Sequence, residues 1–317
     1  MSLGFKSALV TGGAGFIGSH LVEDLSAGGC RVTVLDDLSS GRESNLAPVA
    51  GRVAFMRGSI CDLGTVRKAA AGCEVVFHLA AVVSVPRTVD DPLGSAAVNE
   101  TGSLNVLEAA RGARARRLVF ASSSAVYGDD PDLPKREEMP PKPLTPYAVQ
   151  KLVVEHYLRV YQSLYGLETV GLRFFNVFGP RQDPSSPYSG VISIFMNRAL
   201  KGELPLIYGD GRHSRDFVFV GDVVQALISA ANSSSAAGKV FNVGTGQSLT
   251  ISGLWGMIAA LSGSAAKPVH QPPRSGDIPH SLSAIDSARA ELGFLPRVSL
   301  ESGLRLTLDW YRGNALK

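Results

Sequence analysis

The fold class this sequence predicts is α/β, a doubly wound parallel sheet with a smaller second unit, and three observations predict it. Near-continuous apolar, β-branched runs recur along the first half. Segments with a single apolar stripe lie between most of them. A glycine-rich turn follows the first run directly. Unbroken apolar runs mark strands buried on both faces, and strands alternating with helices close into a parallel sheet with helices on either side.

Taken in order, the strand candidates are "SALVT" (7–11), "CRVTVLD" (30–36), "RVAFMRG" (52–58), "EVVFHLA" (74–80), "RRLVFASS" (116–123) and "LETVGLRFFN" (167–176). In "FIGSHLVEDLSAGG", Ile17, Leu21 and Leu25 fall at i, i+4 and i+8, which gives a helix one buried face. After Asn176 the texture changes. "GPRQDPSSPYSG" (179–190) reads as a loop, a connector or a lid. "RDFVFVGDVVQALISAA" (215–231) and "KVFNVG" (239–244) return to α/β elements, "SSSAAG" (233–238) is a surface linker, and the tail carries short helices and Pro-rich loops. With 317 residues, about two domains are expected. We assign residues 1–176 with 217–244 to a dinucleotide-binding unit and 177–216 with 245–317 to a discontinuous substrate unit.

Bulk chemistry excludes several functions. A net charge of +3 and the absence of basic runs interleaved with aromatics argue against a nucleic-acid surface. "RGARARR" (111–117) reads as a solvated helix end. Cys30, Cys61 and Cys73 form no CxxC pair, so free thiols in a reducing compartment are expected. The chain shows no leader pattern and no apolar stretch near the ~20 residues that span a bilayer, so a cytoplasmic protein with no membrane partner is expected. The six histidines form no HExxH or close His/Cys set, so no metal is expected, and His78 reads as a packed core residue. No GxSxG elbow is present.

"VTGGAGFIGSHL" carries Gly12, Gly15 and Gly18 between a strand and a helix, with Phe16 and Ile17 in the same turn. Glycines let the backbone approach a pyrophosphate, and the helix start supplies free N–H groups and a positive dipole end. Asp36 closes the second strand about two dozen residues later, placed to accept from ribose hydroxyls. Its charge would repel a 2′-phosphate, so the cofactor expected is NAD rather than NADP. Asp37, Ser39 and Gly41 continue that rim. "HLAA" places the small stretch Leu79, Ala80 and Ala81 where a flat cofactor could pass, or where helix and sheet pack closely.

In "TPYAVQK", Thr145 caps a helix that Pro146 opens, and Tyr147 and Lys151 share a face at i, i+4. A free tyrosine titrates near 10. A neighbouring ammonium and an oxidised nicotinamide favour tyrosinate, which could take a proton from a sugar hydroxyl. "ASSSAVYG" (121–128) offers strand-end serines to hold that hydroxyl.

These stretches, with "RFFNVFGPRQ", "RDFVFVGDV" and "NVG", resemble the extended short-chain dehydrogenase/reductases, in particular the nucleotide-sugar 4-epimerases, over nearly the whole chain. The resemblance implies a Rossmann-type cofactor domain with Ser122, Ser59 and Ile60 also on the cofactor. It implies Ser123, Tyr147 and Lys151 as the catalytic set, with Ser84, Ser124 and Val191 near the substrate. Arg215 and Arg274 would hold the diphosphate, Asn176 the diphosphate or sugar, and Asp277 the uridine ribose. The implied reaction is inversion at C4 through a 4-keto sugar, with tightly bound NAD recycled. The dehydratase branch carries Asp-Glu after the catalytic hydroxyl; here Ser124 and Ala125 stand there. A small Ser281 at the sugar pocket favours UDP-GlcNAc/UDP-GalNAc, with UDP-Glc/UDP-Gal as the second pair. Two departures stand out: Ser59 replaces an adenine-contacting Asp, and Phe174 and Phe217 replace frequent tyrosines. A homodimer through the Tyr147–Tyr165 helix is implied, which the apolar Leu152, Val153, Tyr157, Val160 and Leu164 suit. The alternatives are a UDP-sugar dehydrogenase or decarboxylase of the same superfamily and a non-catalytic NAD-binding protein.

Overall fold

The computed structural model describes residues 3–183, 190–273 and 278–314. The strands are β1 (Ser7–Thr11), β2 (Arg31–Asp36), β3 (Ala54–Arg57), β4 (Val75–His78), β5 (Arg117–Ser123), β6 (Glu168–Phe174), β7 (Asn176–Phe178), β8 (Leu206–Tyr208), β9 (Ser214–Arg215), β10 (Phe217–Phe219), β11 (Lys239–Val243), β12 (Leu249–Thr250) and β13 (Val269–Gln271). The helices are α1 (Phe16–Ala27), α2 (Leu63–Ala70), α3 (Val85–Asp90), α4 (Pro92–Ala96), α5 (Ser103–Gly112), α6 (Pro146–Tyr165), α7 (Val191–Lys201), α8 (Val220–Asn232), α9 (Ile251–Ser262), α10 (Asp286–Leu292) and α11 (Leu300–Asn314).

Seven strands form one parallel sheet in the order β11-β6-β5-β4-β1-β2-β3, a Rossmann-type arrangement. Each apolar run predicted from the sequence is a strand of it. The chain winds outward from β1 through β2 to β3, then returns to pair β4 with β1 and winds the other way. At that reversal the loops diverge and leave a crevice beyond the carboxyl ends of the strands. The register sets its rim: Thr11 pairs with both Leu35 and His78.

Both faces of the sheet are covered, which is why its strands need no polar alternation. On one face α1 and α8 pack Leu21, Leu25, Val223 and Leu227 against Val10, Val34 and Val119. On the other, α2, α5 and α6 pack Val66, Val106, Leu107, Val154 and Leu158 against Leu9, Val76 and Leu118. Each such side chain taken from water contributes on the order of 1.5–3 kcal/mol. A separate cluster of Phe195, Met196, Trp255, Ile258, Leu304 and Leu308 holds α7, α9 and α11 together. Helix α10 does not join it. Ile285, Ala288 and Leu292 pack on the larger core instead.

One sequence expectation is overturned. "RGARARR" is not a solvated helix end throughout. Arg111 is exposed and pairs with Glu108, but Arg117 is 1% exposed. Its Nη1 donates to the carbonyls of Ala230, Ala231 and Ser233, and its Nη2 pairs with Glu168 at 2.7 Å. Arg117 opens β5 and ends up at the C-terminus of α8, whose carbonyls lack helical partners and carry the negative dipole end. Sequence proximity to a basic cluster hid a side chain recruited from 113 residues away.

Among the described residues no helix is long and apolar enough to cross a membrane, and no His, Cys, Asp and Glu group could hold a metal ion. The three cysteines are free thiols, with Cys30 and Cys73 buried and Cys61 exposed.

Candidate active site

The carboxyl ends of five parallel strands, β1 to β5, carry the candidate residues along one edge of the sheet. At the first, the backbone of Gly12 adopts φ +71°, and a Cβ there would lie 2.7 Å from the Ala80 nitrogen. The same modification at Gly18 would place a carbon 2.1 Å from the Gly12 carbonyl oxygen. Glycine is therefore required twice, once for the left-handed turn and once for the seating of α1 under the strand end. The half-buried Gly15, Phe16 and Ile17 open α1, whose N-terminus no side chain caps.

At the second, Asp36 is 7% exposed at the end of β2. Its Oδ2 accepts from the Ala14 N–H and its Oδ1 from the Leu38 N–H, both at 2.9 Å. Burial pushes this carboxyl above its ordinary value, against the pull of those two donors. Gly41 folds back over it, where a Cβ would come within 2.9 Å of Oδ1. Asp37 and Ser39 are exposed, and the Ser39 N–H donates to Asp37 Oδ1. At the third, the Ser59 hydroxyl accepts from Cys61 N–H, while the Ile60 side chain is buried and its carbonyl accepts from Asn105. This glycine cradle beside a carboxylate with oxygen lone pairs to spare fits a dinucleotide with an unphosphorylated adenosine ribose.

At the fourth, Leu79, Ala80 and Ala81 leave the end of β4 half-buried, beside the end of β1. Ser84 follows them, and its hydroxyl caps α3 by accepting from Arg87 N–H at 3.2 Å. The fifth is the end of β5. The Ser122 hydroxyl turns into the core and donates to Glu155 at 2.5 Å. Ser123 turns the other way, and with Ser124 is half-buried. The Ser123 hydroxyl accepts from the Ala125 N–H at 3.2 Å and stands near enough to Tyr147 to lower its phenol. Alternation along a strand thus sends neighbouring serines of one run to opposite faces.

Thr145 caps α6 by accepting from Ala148 N–H, and Pro146 occupies its first turn. Tyr147 and Lys151 then lie on the same side. Lys151 Nζ donates to the Ala121 carbonyl at 2.7 Å and stands 5.8 Å from the centre of the Tyr147 ring. Burial pushes the Tyr147 phenol up, partly offset by Ser123. Lys151 is 4% exposed, and burial pulls its ammonium down to about 7, with Glu155 opposing.

The sign of the resulting pH dependence follows. Above about 7 the folded chain holds Lys151 neutral, whereas the unfolded chain stays protonated to about 10.4. The unfolded state binds more protons in that window, so stability rises with pH across it. The cost of burying the ammonium is greatest below the folded value and fades toward the unfolded one. Lys151→Met is therefore expected to raise the melting temperature relative to wild type more at about pH 6 than at about pH 9. Thermal melts at both pH values check this; an equal offset would refute it.

The remaining substrate-side candidates stand on elements outside the seven-stranded sheet. Asn176 opens β7, and its N–H donates to the Asp216 carbonyl. Val191 opens α7, and Arg215 ends β9 half-buried, with Nη1 donating to Ser214 and Pro279 carbonyls. The Ser281 N–H donates to the Ser214 carbonyl, so the two stretches are joined. Arg274 and Asp277 lie outside the described residues.

Sequence reasoning missed two groups. Asp216 is fully buried beside Arg215, and its carboxylate accepts from Thr245 N–H and Oγ1, Gly246 N–H, and Ser283 N–H and Oγ. It ties together three separated segments, around residues 216, 245–246 and 283. Glu155 and Arg173, each 3% exposed in the side chain, form a pair at 2.7 Å behind Lys151. The sequence signal for each was no more than a carboxylate inside an apolar stretch.

Residues 8–244 match the model of the NAD dependent epimerase/dehydratase family. The chain is 43% identical over 311 residues to a UDP-glucose 4-epimerase of Mycolicibacterium smegmatis, covering 97% of this chain and 99% of that protein. A UDP-N-acetylglucosamine 4-epimerase from Methanobrevibacter ruminantium, solved with UDP-N-acetylmuramic acid, superposes with a TM-score of 0.94 at 40% identity over 99% of this chain and 100% of the other. A Thermus thermophilus UDP-glucose 4-epimerase solved with NAD gives 0.89 at 43% identity over 97% and 99%. A UDP-N-acetyl-α-D-glucosaminuronate decarboxylase of Bacillus cytotoxicus and a dTDP-glucose 4,6-dehydratase of Streptomyces niveus match at 34% and 37% identity over 96% of this chain or more.

Proposed function

The chain belongs to the NAD dependent epimerase/dehydratase family, and from that premise we propose that it is a nucleotide-sugar C4 epimerase acting on UDP-GlcNAc and UDP-GalNAc, and also on UDP-Glc and UDP-Gal. The observation that carries this reading is the placing of Ser123, at the end of β5, beside Tyr147, with the buried Lys151 5.8 Å from the centre of that ring. It supports proton transfer at a hydroxyl, and Ser124 and Ala125 put no acid beside it to expel water from C6. NAD supplies the acceptor and donor for the C4 hydrogen. Tyr147 takes the 4-hydroxyl proton and later returns it, Ser123 holds that oxygen, and Lys151 tunes Tyr147. Arg215 and Arg274 hold the diphosphate, Asn176 the diphosphate or sugar, and Asp277 the uridine ribose, while the sugar turns. A half-buried Ser281 leaves room for an N-acetyl group.

The test is purified protein without added cofactor, incubated separately with UDP-GlcNAc and UDP-Glc and resolved by chromatography. Conversion of the acetylated sugar is expected. Conversion of UDP-Glc alone would remove the Ser281 argument, and net NADH production would turn the reading toward a dehydrogenase.

We also infer a homodimer through α6. Its outward side carries Val160 at 41% and Leu164 at 70% exposure, with Leu152, Val153 and Tyr157 half-buried beside them. Apolar side chains in a stripe on one helix favour burial against a partner. Light scattering at micromolar concentration is expected to give twice the chain mass, and Leu164→Glu to lower it; a monomeric wild type would end the inference.

A further inference from the structure

His78 does more than fill the core. It is 1% exposed at the end of β4, and both ring nitrogens are engaged. Nδ1 lies 2.8 Å from the Thr11 hydroxyl, and Nε2 lies 2.8 Å from the Ser103 hydroxyl. Ser103 has one proton, and it goes to the Asn99 carbonyl at 2.6 Å. Ser103 must therefore accept from Nε2–H. Nδ1 is then the acceptor, and Thr11 the donor. The direction of the whole chain follows from one hydroxyl count.

Each end of this chain reaches a different half of the site. On one side the Thr11 oxygen also accepts from the Ala80 N–H at 3.3 Å, and Thr11 immediately precedes Gly12. This joins the two backbone stretches that form the cofactor cradle. On the other side the chain reaches Asn99, inside a π-helical turn (Ala97–Gly102) that joins α4 to α5. Such turns often mark functional positions. The Asn99 carboxamide accepts from Val82 N–H, and donates to the Val82 carbonyl and to Gln150 Oε1 at 2.7 Å. Gln150 stands on α6 between Tyr147 and Lys151, and its own amide donates to Ser95. A neutral imidazole in the Nε2–H form is the one arrangement that satisfies every member. Burial and the nearby Lys151 charge, which hold His78 down at about 3, keep it neutral.

We propose that His78 is a positioning residue that registers the cofactor cradle against the catalytic helix, acting through Thr11 on one side and through Ser103 and Asn99 on the other. This rests on the proposed activity for its turnover arm only.

The two sides can be separated by substitution. His78→Asn keeps an acceptor near the Nδ1 position and loses the donor to Ser103. His78→Gln reaches Ser103 with a donor and leaves Thr11 unmet. Two measurements are made on each folded variant: NAD retained after gel filtration, and kcat for UDP-glucose per bound NAD. His78→Asn is expected to retain NAD like wild type with kcat reduced about tenfold or more. His78→Gln is expected to lose NAD with kcat per bound NAD close to wild type. Ser103→Ala, a smaller change, should reproduce the His78→Asn pattern if that variant fails to fold. A purely structural histidine would lower the melting temperature of all variants and leave both readouts near wild type at about 25 °C, and that result overturns the proposal. A wild type that turns over no UDP-sugar ends the activity reading instead, while NAD retention still decides the cradle arm.

Discussion

A Tyr147→Phe protein is expected to keep its fold and its bound NAD while sugar turnover falls by about 10²–10⁴-fold, the span usual for loss of a general acid–base group. The ring stays, so the half-buried packing at the start of α6 is unchanged. What goes is one oxygen, the phenol hydroxyl beside Ser123. As the chain alone presents it, that oxygen stays protonated at neutral pH, because burial raises the phenol above its ordinary value. Lys151 corrects this when charged, and its depression to about 7 means the charge is present only on the acid side of neutrality unless a bound anion supports it. The loss should therefore be in kcat rather than in retention of nucleotide. A Tyr147→Phe variant with more than about a tenth of wild-type kcat would remove Tyr147 from the proton path.

The largest stability effect is expected behind that helix. Arg173→Met should destabilise the protein by about 3–5 kcal/mol. Arg173 Nη2 and Nε both reach the Glu155 carboxylate, at 2.7 and 3.0 Å, and Ser122 supplies a third donor. Removing the guanidinium leaves a carboxylate 3% exposed with one remaining donor beside it. The guanidinium also lies over the Tyr127 ring at 4.8 Å, so packing is lost with the charge. The double variant Glu155→Leu/Arg173→Met should recover most of the loss, because it removes the buried charge altogether. Denaturant melts of the two single variants and the double variant measure the coupling. A single-variant loss below about 1 kcal/mol would mean that water reaches Glu155.

Much of the site was legible because its residues act where the chain is locally regular. Thr145, Pro146, Tyr147 and Lys151 lie at the cap and in the opening turns of one helix, so the shared face of Tyr147 and Lys151 follows from ~3.6 residues per turn. Gly12 and Asp36 each end or follow a strand, and parallel strands deliver all such ends to one edge. The serine run was only half legible. Strand alternation predicts that neighbours diverge, but it does not say which serine turns inward to Glu155 and which stays at the strand end beside Tyr147.

The sequence by itself determined the α/β order, the strands, the glycine turn, the carboxylate that closes β2 and the tyrosine–lysine spacing. All of these depend on contacts a few residues apart or on hydrophobic period. Only the tertiary structure decided that Arg117 caps α8 from 113 residues away, that Asp216 gathers Thr245 and Ser283, and that α10 packs on the larger core. It alone turned His78 from a core residue into a directed link between cradle and catalytic helix. The reason is physical. A buried polar group must find partners, and which ones it finds depends on how separated segments pack, which no local period records.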